Sequence, residues 1–170
     1  MADLIPLGGM KFSEELALAV LSADVPPIGA EVNVLKALAG RQMNLFYLSV
    51  SRSVDRTRVC LCVAADQIKL VERLAAEAAG GPWTCRSVNS VGLLTFFPHE
   101  RRLEALTRSL KLFAESRLPV FGVASTLSAL TFVTAFEELG RASQRLREVF
   151  GLPDHHAPFA PEFRVKPVTR

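Results

Sequence analysis

The chain is poor in the side chains that usually announce chemistry: three cysteines, three histidines, one tryptophan and one tyrosine among 170 residues. It also lacks an uninterrupted apolar run near the ~20 residues that a spanning helix needs. No basic segment followed by a continuous hydrophobic one opens the sequence, so no membrane partner and a cytoplasmic location are expected. Cys60, Cys62 and Cys85 make an odd number, and Cys60 and Cys62 stand two apart in a strand-like run, on one face. They read as small apolar side chains in a reducing compartment. His155 and His156 are adjacent without a spaced cysteine pair, which reads as solvated tail and not as a zinc site. No G-x-S-x-G, H-E-x-x-H, Walker or dinucleotide-binding pattern occurs, and none of His99, His155 or His156 lies near a nucleophile in sequence. The expectation is a protein that is not an enzyme, with no catalytic residues, no metal and no cofactor.

What is present is core-forming material. Hydrophobic residues make up 49% and charged ones 22%, enough for one domain or for two small ones of about 70 to 80 residues each. The net charge is +3 and the pI near 9.0, yet Lys and Arg alternate with Glu in ERRLEALTRSLK and QRLREVF. That is the pattern of solvated helix faces, and no nucleic-acid partner is expected.

The order of periodicities is informative. Leu16 to Val25 is a continuous apolar run, a buried strand, and Gly29 to Met43 has helical spacing through Val32, Val34, Leu35 and Leu38. LFYLSVS and TRVCLCVAA flank the turn residues Ser53 to Arg56 as a hairpin. Asp66 is placed as an N-cap for a helix with Ile68, Leu70, Val71 and Leu74 on one face, stopped by Gly80 and Gly81. The order then begins again. Trp83 to Phe97 is extended, Arg101 to Ser116 is a helix with Leu103, Leu106, Leu110 and Phe113 at helical spacing, VFGVAST and LTFVTAF are strands, and Gly140 to Phe150 is an amphipathic helix. Two β-α-β-β-α units recur at a spacing of about 70 residues. Each lacks a last strand to close a ferredoxin-like sandwich, for which the candidates are the first part of Trp83 to Phe97 and Phe163 to Val168.

The run LPVFGVASTLSALTFVTAFEELGRASQRLREVFGLP, with the turn Ser125-Thr126-Leu127-Ser128 and the close Phe150-Gly151-Leu152, resembles the last regulatory module of aspartate kinases. DVPPIGAEVNVLKALAGRQMNLFYLSVSRS resembles the module before it. Both belong to the ACT family of small-molecule sensing domains, and the resemblance covers roughly Leu16 to Leu152. It implies an α+β fold of two ferredoxin-like βαββαβ modules, antiparallel sheets with helices on one face. The modules are residues 14–82 and 83–153, with the second inserted in the first and strand 162–168 completing the first. It implies a regulatory, allosteric role, an amino-acid ligand, a homodimer and a partner enzyme. In the family an Asp on the first loop, backbone groups at the helix start and polar residues on the next strand hold the ligand. Carried over, these are Asp24, Pro27, Ile28, Gly29, Ala30 and Asn44. The loop is longer than the family's, with Pro27-Ile28 before Gly29, and the later strand positions are Phe46 and Val50 where the family is polar. The second loop, PHERR, has no glycine and reads as packing.

Elementary electrostatics points to the same place. A helix N-terminus suits a carboxylate, a nearby Asp suits an ammonium group, and Gly29 admits a close approach to the backbone. The plain alternative is a strand-to-helix connection with a solvated Asp24. At the level of function the rival is a structural interaction module without a metabolite ligand, which Phe46 and Val50 favour.

Overall fold

The computed structural model describes residues 4–24, 28–78, 83–97, 103–126 and 128–152. The chain divides into two units, Glu15–Val91 and a discontinuous one made of Met1–Glu14 with Gly92–Arg170.

In the first unit the apolar run forms β3 (Leu16–Asp24), following two short N-terminal strands described below, and α1 (Ala30–Gly40) comes after it. The hairpin is β4 (Tyr47–Arg52) and β5 (Arg56–Ala64). A 3-10 turn, Ala65–Gln67, leads into α2 (Ile68–Glu77). Asp66 lies inside that turn, so the residue preceding α2 is Gln67, which makes no side-chain cap. The first part of β6 (Thr84–Phe97) then runs antiparallel along β3, from Thr84 opposite Ser22 to Val91 opposite Leu16. The strand order is β4-β5-β3-β6, so both edges of β3 are taken and β4 is an open edge. Alternation assigns the faces. Ala17, Ala19, Leu21 and Ala23 on β3 and Val59, Leu61 and Val63 on β5 meet Val34 and Leu38 of α1 and Val71 and Leu74 of α2. Alanines at three of the four inward positions of the central strand give the helices room to sit close to the sheet.

The second unit repeats the plan with a different closing strand. The later part of β6 leads to α3 (Leu103–Glu115), the strands β7 (Gly122–Ser125) and β8 (Leu130–Ala135), a second 3-10 turn at Phe136–Glu138, and α4 (Leu139–Leu146). The place beside β6 is filled from the N-terminus. β2 (Gly9–Phe12) pairs antiparallel with it, Gly9 opposite Phe97 and Phe12 opposite Leu94. β1 (Ile5–Pro6) pairs in parallel with β9 (Phe150–Gly151). The strand order is thus β2-β6-β8-β7. Gly92 is where β6 passes under α4, since a Cβ there would stand 2.5 Å from Leu139 Cδ1 and 3.2 Å from Phe136 Cδ2.

Two expectations are corrected. The inward face of α3 is Ala105, Ser109, Leu112 and Phe113, whereas Leu103 and Leu110 are exposed and Leu106 is half-buried. The small residues face the sheet because they let the helix approach, and the buried Ser109 hydroxyl donates to Ala105 O at 2.7 Å. The last helix ends at Leu146, and Phe150 belongs to β9. The insertion of the second module into the first, closed by strand 162–168, concerns residues outside those described. The discontinuity that the described residues carry is that of the second unit, through β2.

Candidate ligand site at the loop end of the first unit

The end of the first sheet where β3 finishes and α1 begins is dense in charge. Asp24 and Arg56 are directly opposite on β3 and β5, and Arg56 Nε donates to Asp24 Oδ1 at 2.7 Å. Arg52, the last residue of β4, reaches Glu31 in the first turn of α1, with Nη1 to Oε2 at 3.3 Å. Between them the hairpin turn is tied by Ser53, whose hydroxyl donates to Asp55 Oδ1 at 2.8 Å and whose backbone N–H donates to Arg56 O at 2.8 Å. The Ser53 hydrogen bond is the main cause that holds the Asp55 carboxyl below its usual range.

Gly29 precedes α1 at φ 82, in the left-handed region that favours glycine, and it makes no side-chain cap. Its carbonyl accepts the Val32 N–H at 2.9 Å, closing the first turn. The donors of that turn are therefore served by no cap from Gly29, which is the condition under which a helix start accepts an anion. Ile28 beside it is 95% exposed, while Ala30 is buried against the core. Pro27 lies outside the described residues. One buried polar atom lies at the same end: Thr57, opposite Ala23 and Arg52, is fully buried and its Oγ1 has no hydrogen-bond partner among the described residues.

The expected residues separate into two groups. Asp24, Ile28, Gly29 and Ala30 come together at this end. Asn44 is exposed and precedes β4 at the other end, where Phe46 N–H donates to Cys62 O and Cys62 stands opposite Leu18. From Leu18 to Asp24 the strand spans about 20 Å at its usual rise. Phe46 and Val50 are half exposed along the open edge, with Leu48 between them. Arg56, Arg52, Glu31 and Thr57 were not anticipated as site residues. Arg56 reads as turn chemistry in the sequence, and Thr57 as one more β-former.

The cysteines behave as apolar packing. Burial pushes the Cys62 thiol from its ordinary 9.0 up to about 12 and raises Cys60 and Cys85 as well. No group of three metal-ligating side chains occurs among the described residues. No described helix is long and apolar enough to cross a membrane.

No family model matches the sequence, and no curated protein matches it. Solved structures do match. The regulatory subunit of aspartate kinase from Thermus flavus superposes with a TM-score of 0.72 at 14% identity, over 85% of this chain and 99% of that one. The ligand-free regulatory subunit from Thermus thermophilus gives the same values, 0.72, 14%, 85% and 99%. Aspartate kinase from Synechocystis gives 0.74 at 14% identity, over 91% of this chain and 28% of that one. The chain has the α+β fold of the regulatory subunits of aspartate kinases, with which it shares nearly the whole length of those chains.

Proposed function

We propose that this protein is a non-catalytic regulatory sensor. It binds a small ligand, an amino acid, at the β3–α1 loop of the first unit, and passes the binding on through a homodimer or to a partner enzyme. The fold supports the regulatory part. The observation that carries the ligand part is the position of the two groups of candidate residues at opposite ends of one open edge strand. Two copies of β4 paired antiparallel about a two-fold axis bring Asn44 of each to the loop of the other. Asp24, Gly29 and Asn44 then form one site, with Phe46, Leu48 and Val50 covered by the pairing. The Asp24 carboxylate serves the ligand's ammonium group and the α1 N-terminus its carboxylate.

A thermal-shift panel of the common amino acids tests the reading. A ligand at 100 times its dissociation constant stabilises the fold by about 2.7 kcal/mol, visible as a melting shift. Asp24→Ala weakens that ligand by about 1.5 kcal/mol, the lower end for a charged hydrogen bond because Asp24 is exposed. A panel without any shift sinks the proposal. It leaves the second reading, an interaction module without a metabolite, which the half-exposed Phe46, Leu48 and Val50 favour.

A further inference from the structure

The second unit holds a cleft of about 290 Å³ between α3 and the turn that follows α4. Its apolar lining is Leu4, Leu112 and Val149. Its walls carry cations from both sides, Arg108 and Lys111 on α3 and Arg145 on α4, and the carboxylates Glu115 and Glu148. Three cations and two carboxylates line it, and the carboxylate that meets the third cation, Arg108, is Glu104, outside the lining.

We infer that this cleft is a binding site for a small carboxylate with an apolar body, independent of the loop site in the first unit. Arg108, Lys111 and Leu112 follow one another at i, i+3 and i+4, so a single stripe of α3 offers both charge and apolar surface. Arg145 is already aimed. Its Nε donates to Ser116 Oγ at 3.1 Å, and its Nη1 meets Glu148 at 2.7 Å. A guanidinium held from two sides loses little freedom when an anion arrives. Each cation meets an exposed carboxylate: Arg108 meets Glu104, Lys111 meets Glu115 at 3.7 Å, and Arg145 meets Glu148. Exposed pairs of this kind are weakly held, so an incoming carboxylate can share or replace them at small cost. The volume sits at the lower end of the ~300 Å³ at which small-molecule sites begin, which limits the ligand to a compact acid. The three cations take the carboxylate, and the apolar lining of Leu4, Leu112 and Val149 requires the apolar body.

The test compares phenylacetate, phenylacetamide and phenethylamine on the full chain by amide chemical-shift titration. Phenylacetate gives saturable shifts at residues 108–115 and 145–149, weakened by added salt, while the neutral amide and the amine do not. Arg108→Gln weakens phenylacetate about fivefold, as loss of one exposed charged contact does. Glu148→Gln tightens it, because the carboxylate competing for Arg145 is gone. The opposite signs separate a site from loss of folding. Asp24→Ala leaves the titration unchanged, so failure of the loop site would not touch this one. Equal shifts from acid and amide, no saturable shift with phenylacetate, or an unchanged Arg108→Gln affinity would each overturn the inference.

Discussion

The two units follow one plan and fill it with different material. In the first, the core cluster is alanine, valine, leucine and isoleucine with Trp83 as its one aromatic. In the second, Phe96, Phe113, Phe132 and Phe150 are all fully buried, with Phe132 stacked between Phe113 at 4.9 Å and Phe96 at 5.9 Å. The units also close differently. The strand that completes the first is the next one in the chain, and the strand that completes the second comes from before the first. Among the described residues the two clusters hold equal numbers of buried residues, so large rigid side chains and a remote closing strand make single contributions heavier in the second core, and the aliphatic core is built of lighter ones.

The largest way to break that contrast is to remove the closing strand. Deleting residues 1–14 takes Ile5, Leu7 and Met10 out of the second core, at about 1.5–3 kcal/mol for each buried side chain. Amide exchange accelerates across residues 92–97 and 130–135 and stays slow in β3 and β5. Uniform acceleration would mean that the units do not differ in this way.

Phe132→Ala comes next, with a loss of about 3–5 kcal/mol, against about 2–5 for Leu61→Ala at the equivalent depth of the first unit. Urea denaturation gives both numbers. A smaller loss for Phe132 than for Leu61 would contradict the picture of heavier single contributions in the second core.

Two glycines sharpen the comparison through opposite signs. Gly92→Ala drives a Cβ into Leu139 and Phe136 and costs about 1–3 kcal/mol. Gly40→Ala meets nothing within 4 Å at the end of α1 and gains about 0.4–1 kcal/mol by restricting the unfolded chain. Melting temperatures of the two variants read the signs directly.

The smallest effect is alkaline. The Cys62 thiol is raised to about 12 in the folded chain, so folding retains a proton that the unfolded chain gives up above its ordinary 9.0. The stability is fully present below pH 9.0 and is lost as pH rises towards about 12. Cys62→Ala flattens this alkaline limb, and an unchanged slope in denaturation between those limits would exclude Cys62 as its source.

Much of the fold was readable because the residues agreed across levels. β3 is an unbroken apolar run, the hairpin is set by Ser53 to Arg56, and the repeat shows in the two strand, 3-10 turn and helix passages that end at Glu77 and Leu146. In α3 the helical spacing of Leu103, Leu106, Leu110 and Phe113 does not mark the buried face, because leucines stand on more than one side and the small Ala105 and Ser109 share that face with Leu112 and Phe113. β2 was missed because IPLGGMKF is too short and too rich in glycine and proline to score as a strand. Its partner lies 88 residues away, beyond any local signal. Of the proposed loop site, Asp24 and Gly29 were legible by residue type. Arg56 and Thr57 were not, since their part in the site comes from cross-strand register. Asn44 can be placed in the sequence, but its distance from the loop appears only once β4 has a direction.

The closing strand also orders events during synthesis. β2 leaves the ribosome before any other strand of its sheet, yet its first partner, Phe97, follows Gly9 by 88 residues. At roughly 5–20 residues per second that is a wait of about 4 to 18 s. The first unit, whose strands are all contiguous, can fold within this interval. Gly9–Phe12 stays an unpaired template until β6 has been made in full. The delay falls on four residues that give no sign of it in their composition.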